Sequence, residues 1–309
     1  MINFTNKNLH IAVILGGESA ERNVSLRSGK AVIQAIKSRG LNATPIDGLK
    51  QLLTTNLGQF DAVFNILHGG AGENGDLAGL LSSQEIRYTG CDATGAVLSW
   101  HKDVAKTLVS KMGLKTPASQ TLFNADDLKV NSQGPWIVKP TQEGSSVGLY
   151  FVKNKKELKE TVVKALKEVD SILVEQFIQG EECTVSIIKN QVLPVIRIKP
   201  AVGLYDYEAK YRNNTTEYFC PSGFDKDLEQ ALKNDALIAF KTLLLKGWAR
   251  VDFIVDKKGN RWFLEANTTP GMTETSLVPK AAQAINWEFD ELVMQILSSA
   301  FSQEDYSDE

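Results

Sequence analysis

The alternation of apolar and polar positions is sharpest toward the carboxyl end of the chain. Residues 249–255, ARVDFIV, put Arg250, Asp252 and Ile254 on one face and Val251, Phe253 and Val255 on the other. The same period over 260–267 groups Phe263, Glu265 and Asn267. The turn-prone DKKGN between the two runs predicts an antiparallel hairpin. With Lys258 and Gly259 as a two-residue loop, Asp252 falls opposite Glu265 and Arg250 opposite Asn267. A loop one residue longer requires a bulge to keep that register.

Earlier patterns are of a different kind. His10–Leu15 is a short apolar run ending in Gly16-Gly17, as a buried parallel strand does where it meets a turn. A helix follows over 26–37, with Ser25 as its expected cap and Gly40 as its stop. Strands over 41–46 and 60–67 complete a βαβ-type, parallel-sheet region of about 100 residues. Residues 102–180 read as a smaller α+β unit, and helical spacing over 228–245 and 287–299 supplies packing elements for a third region. The expected division is therefore 1–100, 101–180 and 181–309.

Chemistry gathers at a few of these elements. Two carboxylates facing each other across adjacent strands repel unless a cation or a shared proton lies between them, and Mg²⁺ takes such oxygen ligands. A solvated hairpin whose acids never meet a metal is the plainer reading, but Asn267 adds an oxygen and Arg250 can hold a phosphate or an oxyanion. In PWIVKPTQEGSSVG, the strand 136–138 delivers Lys139, and the glycine-serine loop 143–148 offers backbone N–H groups to phosphate. A surface turn with a solvated lysine is the alternative there. Glu175-Gln176-Phe177-Ile178 ends a strand with apolar neighbours, suited to a flat purine, with plain core as the alternative. LYDYEAKY at 204–211, with Lys210 and Tyr211, has the composition of a lid, a plain surface loop being the alternative. Gly70 to Gly75 matches GxGxxG, but that fingerprint belongs after the first strand, and Glu73 would face the pyrophosphate it should attract. The loop is read instead as exposing His68 toward a small ligand.

Composition narrows the partners. The chain has 309 residues, 43% hydrophobic and 23% charged, with a net charge of -3. Scattered basic residues give no field for nucleic acid. Three separated cysteines, Cys91, Cys183 and Cys220, argue against a disulfide framework and against zinc, and fit a reducing cytoplasm. The early apolar run is too short for a signal-peptide core or a membrane span.

Taken together, GGESAERNVSL, the loop around His68, IVKPTQEGSSVG, YDYEAKY, and ARVDF through LEANTTPGMTETSLVP resemble the signature blocks of the D-alanine:D-alanine ligases of the ATP-grasp superfamily, in order and over essentially the whole chain. The resemblance implies an α/β and α+β fold of three domains and a ligase that makes D-alanyl-D-alanine for peptidoglycan precursors through a D-alanyl phosphate. It implies phosphate contacts at Lys102 and Lys139, a nucleotide contact from the lid at Lys210, adenine held at Glu175, Phe177 and Ile178, and ribose at Glu182. Asp252, Glu265 and Asn267 match the family's ligands for Mg²⁺, two ions with Mn²⁺ as a substitute. Glu21 matches the carboxylate that receives the first D-alanine, with His68 nearby, and Ser145 and Tyr211 would join Glu21 in a triad. Gly271, Ser276 and Leu277 match positions that place the second D-alanine, and Arg250 with the Gly271 N–H would stabilise the tetrahedral oxyanion. Family members are commonly homodimers. One departure is Trp100-His101 before Lys102, where the family usually has Met-Asp. Tyr211, absent from relatives that make D-alanyl-D-lactate, points to the dipeptide. An exported binding module would have no use for these paired acids and lysines.

Overall fold

The computed structural model describes residues 9–130, 133–144, 147–199 and 216–301. Strand β1 (His10–Leu15) lies between β2 (Asn42–Asp47) and β3 (Ala62–Asn65), all parallel, in the order β2-β1-β3. Its side chains alternate between two cores. Ile11 and Val13 pack with Val32 and Ile36 of α1 (Arg22–Ser38), whereas Ala12 and Ile14 pack with Leu52 of α2 (Gly48–Thr54) and with Leu77 and Leu81 of α3 (Asp76–Ser83). Cover on both faces explains why this strand reads as a continuous apolar run.

Ser25 does not cap α1. The helix begins three residues earlier, at Arg22, and Ser25 lies buried in its first turn, where its hydroxyl accepts from Gly16 N–H at 2.9 Å and donates to the Ile66 carbonyl at 2.7 Å. The early start follows from the turn before it. Gly16 and Gly17 adopt φ of 72° and 75°, and Asp47 pairs with Arg22 while accepting from Gly17 N–H, so the chain enters the helix at once.

The central sheet is antiparallel. Its strands β4 (Ser119–Leu122), β5 (Trp136–Pro140), β6 (Tyr150–Val152) and β7 (Ile172–Gln176) run in the order β4-β7-β5-β6. Leu158 and Val162 of α6 (Lys155–Ala165) cover it, and the Asn154 side chain caps that helix at Glu157 N–H.

A larger antiparallel sheet follows, built from β8 (Gly180–Ile188), β9 (Gln191–Val192), β10 (Ile196–Lys199), β11 (Glu217–Phe219), β12 (Trp248–Asp256) and β13 (Arg261–Asn267). Its order is β11-β10-β8-β12-β13, with β9 paired to β8. One face, with Val185, Val251, Phe253 and Phe263, is packed in a core shared with α4 (Ala93–Trp100), α5 (Lys102–Lys111) and α7 (Lys226–Thr242). The alternate positions Thr184, Ser186, Arg250 and Asp252 face the other way, as the period of two requires. Finally, α8 (Leu277–Gln283) and α9 (Phe289–Ser298) return to the α1 side of the first sheet. No described helix is long and apolar enough to cross a membrane.

Candidate active site

The hairpin has the expected pairs and an unexpected loop. Asp252 stands opposite Glu265 and Arg250 opposite Asn267, but toward the turn Phe253 pairs with Phe263 and Val255 with Arg261. The loop is thus one residue longer than two, and a bulge at Leu264 restores the register. The bulge also overturns one expectation. Phe263 does not share the face of Glu265: it is fully buried with its ring edge toward Phe253, 6.1 Å between centroids. Leu264 and Glu265 both open onto the cleft instead.

Asp252 is 5% exposed and heavily partnered. Arg250 engages both its oxygens, at 2.9 and 2.8 Å, Thr184 donates to it at 2.6 Å, and the Asn267 amide donates at 3.0 Å. Lys102 Nζ is 3.7 Å from Glu265. Cationic side chains thus answer the repulsion between the two acids. Two carboxylates with the Asn267 amide oxygen form a hard-oxygen donor set that fits Mg²⁺. Among the described residues no group of three His, Cys, Asp or Glu side chains offers a rival site.

Between the central and large sheets lies a cleft of about 850 Å³, solvent at its mouth included. Lys102, Lys139, Glu175, Phe177, Ile178, Glu182 and Glu265 all line it, so sequence-distant candidates meet in one place. Ile137, Leu149, Ile254 and Leu264 supply apolar walls, as a flat ring needs. Phe177 is fixed edge-on to Phe151, 4.9 Å between centroids. Lys139 and Lys106 both contact Glu175, at 2.6 and 3.1 Å, and hold its carboxyl below the ordinary value against the opposing effect of burial. Beside Lys102, the Trp100 ring is 6.0 Å from the ammonium, His101 contacts Gln142, and Lys102 donates to the carbonyls of Thr141 (through N–H) and Glu143 (through Nζ).

Next to this cleft is a more polar end. Gly144 brings the glycine-rich loop against Glu21 so closely that a Cβ there would lie 2.6 Å from its carboxylate. Ser19 donates to the His68 carbonyl at 2.7 Å. His68 is 3% exposed, and burial lowers its pKa to about 4; neither ring nitrogen makes a hydrogen bond of good geometry, although the Ile66 carbonyl favours the protonated ring slightly. Glu73, which the motif reading set aside, is raised to about 8 by burial and by the charge of Glu21. Gly271 faces both Ser276 and His68: a Cβ built there would be 3.0 Å from Ser276 Oγ and 3.7 Å from His68 Nε2. Ser276 accepts from Thr273 N–H at 3.0 Å, and Leu277, buried, opens α8.

Ser145, Lys210 and Tyr211, and with them the expected lid, lie outside the described residues. Lys106 escaped the sequence reading, and Glu73 entered it only as an argument against a dinucleotide fingerprint. Lys106 was signalled by its position four residues after Lys102, on the same helix face.

The family model described as "D-ala D-ala ligase C-terminus" matches residues 109–298. The chain is 44% identical over 294 residues to the "D-alanine--D-alanine ligase" of Haemophilus influenzae (strain PittEE), covering 92% of this chain and 99% of that one. It is 43% identical to the protein of the same name from Pseudoalteromonas atlantica, covering 94% of each chain. Among solved structures, it is similar to D-alanine--D-alanine ligase from Bacillus anthracis complexed with ATP, with a TM-score of 0.84 and 28% identity, covering 95% of this chain and 97% of that one. It is also similar to VanG D-Ala:D-Ser ligase from Enterococcus faecalis, with a TM-score of 0.84 and 28% identity, covering 95% of this chain and 99% of that one.

Proposed function

The chain belongs to the D-alanine--D-alanine ligase family, and on that premise we propose that it joins two D-alanines into D-alanyl-D-alanine, converting ATP to ADP and phosphate. It is a ligase of ATP-grasp architecture. The observation that best supports the substrate assignment is the adjacency of the lysine-lined cleft to Glu21 through Glu143 and Gly144, which would set a nucleotide's phosphate end beside a carboxylate suited to an ammonium group.

In this reading Lys102 and Lys139 bind phosphates, Glu175, Phe177 and Ile178 hold adenine, and Glu182 holds ribose, with Lys210 added from the lid. Asp252, Glu265 and Asn267 would hold Mg²⁺, which supplies positive charge to the phosphoryl group in flight. Glu21 fixes the first D-alanine's ammonium, with His68 nearby and Ser145 and Tyr211 closing a triad over it. A carboxylate oxygen of that D-alanine attacks the γ-phosphorus, the bond to ADP breaks, and an acyl phosphate forms. The amine of the second D-alanine, placed by Gly271, Ser276 and Leu277, then attacks the acyl carbon; the amine loses its proton and phosphate leaves. Arg250 and the Gly271 N–H answer the oxyanion between these events. Positioning accounts for most of the remaining acceleration.

The product serves peptidoglycan precursor synthesis in the cytoplasm, and the working form is a homodimer without nucleic-acid or membrane partners. The test is mass analysis of products from ATP, Mg²⁺ and D-alanine, with D-serine or D-lactate added in competition. The dipeptide of two D-alanines should dominate near neutral pH. Preferential formation of the mixed dipeptide or of the ester would overturn the acceptor assignment.

A further inference from the structure

One buried carboxylate is shared by two ammonium groups at the wall of the cleft. Lys139 Nζ is 2.6 Å from Glu175 Oε1, and Lys106 Nζ is 3.1 Å from Glu175 Oε2, with Lys106 only 2% and Glu175 only 3% exposed. The two lysines contact different oxygens of the carboxylate. Lys139 and Glu175 line the cleft, whereas Lys106, on α5, is not among its lining residues and has its ammonium also 3.4 Å from the Phe263 carbonyl beside the β13 bulge.

Two ammonium groups share one contacting carboxylate in a dry site, with Glu265 a more distant counter-charge to both and Glu182 to Lys139, so the contact itself is unbalanced. Lys139 has a second partner available in the cleft, a triphosphate. Lys106, not among the residues lining the cleft, has Glu175 in ion-pair contact and otherwise the neutral Phe263 carbonyl, with Glu265 acting only from farther off. We propose that Lys106 is a positioning residue for purine recognition, keeping Glu175 ionised and aimed at the base's exocyclic amine when Lys139 turns to the phosphates. This rests on the nucleotide reading of the cleft given above. Burial lowers Lys106 to about 8, and the charge of Glu175 opposes that fall, so the pair remains ionic near neutral pH.

The consequence is discrimination at one atom of the purine. Adenine presents an amine that donates to an ionised carboxylate; hypoxanthine presents a carbonyl there, which the same carboxylate repels. Without Lys106, Glu175 either retains Lys139, taking it from phosphate, or accepts a proton and can then donate to a carbonyl. Each route erodes the preference for ATP over ITP.

The experiment is calorimetric binding of ATP and of ITP to the whole protein near neutral pH with Mg²⁺ and no D-alanine, so that the readout is independent of the acceptor. The wild type should favour ATP by about tenfold or more. Lys106→Met should weaken ATP about tenfold and lower the ATP/ITP ratio at least about fivefold, while Lys106→Arg, which keeps the charge, should hold the ratio within about twofold of wild type. A merely structural lysine would lower the melting temperature and weaken both nucleotides equally; an unchanged ratio in a folded methionine variant overturns the proposal. If that variant does not fold, Lys106→Gln is read by the same ratio and the same criterion. Absence of nucleotide binding by the wild type overturns this proposal and the cleft reading together. ATP binding with the expected ratios but no dipeptide formation overturns only the D-alanine assignment.

Discussion

Asp252 and Glu265 stand directly opposite each other across β12 and β13, and the register slips by one residue immediately beyond them. The slip sends Phe263 into the core and leaves Leu264 and Glu265, consecutive in sequence, both facing the cleft. Adjacent apolar and acidic contacts are thereby available to one ligand.

Glu265→Gln should lower kcat by at least about 100-fold while changing ATP affinity less than about fivefold. The carboxylate's charge matters most where the phosphoryl group is in transit, and the apolar walls of the cleft remain intact. Steady-state kinetics beside direct ATP binding separates the two effects. Equal losses in both would count against a metal-holding role.

Arg250→Ala should cost about 10²- to 10³-fold in kcat. It removes the proposed oxyanion partner and strips Asp252 of the guanidinium that engages both its oxygens, at 2.9 and 2.8 Å. Arg250→Lys should recover only a small part, because an ammonium cannot reproduce the planar fork. Full recovery of kcat by lysine would show that charge alone suffices.

Gly144→Ala places a methyl 2.6 Å from the buried Glu21 carboxylate. Because Glu21 is the proposed ammonium site, kcat/KM for D-alanine should fall about tenfold or more, with ATP affinity within about threefold of wild type. Substrate-dependence kinetics on the purified variant checks this. A loss confined to ATP would place the glycine's role with the phosphates.

The hairpin was legible because a period-two pattern fixes which residues share a face, and the pairing of Asp252 with Glu265 follows once the turn is located. The bulge was not, since inserting Leu264 changes no residue type, only which neighbours share a side; Phe263 was misplaced for that reason. Ser25 looked like a cap from its residue type alone, yet its hydroxyl is taken by Gly16 and Ile66, whose proximity only the tertiary fold creates. Lys106 was missed for a related reason. A lysine on a helix reads as solvated until its carboxylate partner, 69 positions away in sequence, is known to be beneath it.

His68 carries a pH signature. Its folded value, about 4, lies below the ordinary 6.5, so the unfolded chain binds the extra proton first and stability is lost as pH falls from about 6.5 toward 4, by roughly 3 kcal/mol in all. Glu73 acts in the opposite sense. Raised from 4.5 to about 8, it makes folding less favourable as pH climbs through that range. The difference between wild type and His68→Gln isolates the histidine: the melting temperature of the variant should drop less between pH 7 and pH 5 than that of the wild type. Parallel pH profiles would contradict a neutral, buried His68.

The most direct measurement is phosphate release from ATP and Mg²⁺ with D-alanine, with L-alanine, and with no amino acid. The account predicts release that depends on D-alanine and matches D-alanyl-D-alanine formed, one phosphate to one dipeptide. Equal release in all three mixtures, or turnover only with a different acceptor, would contradict it.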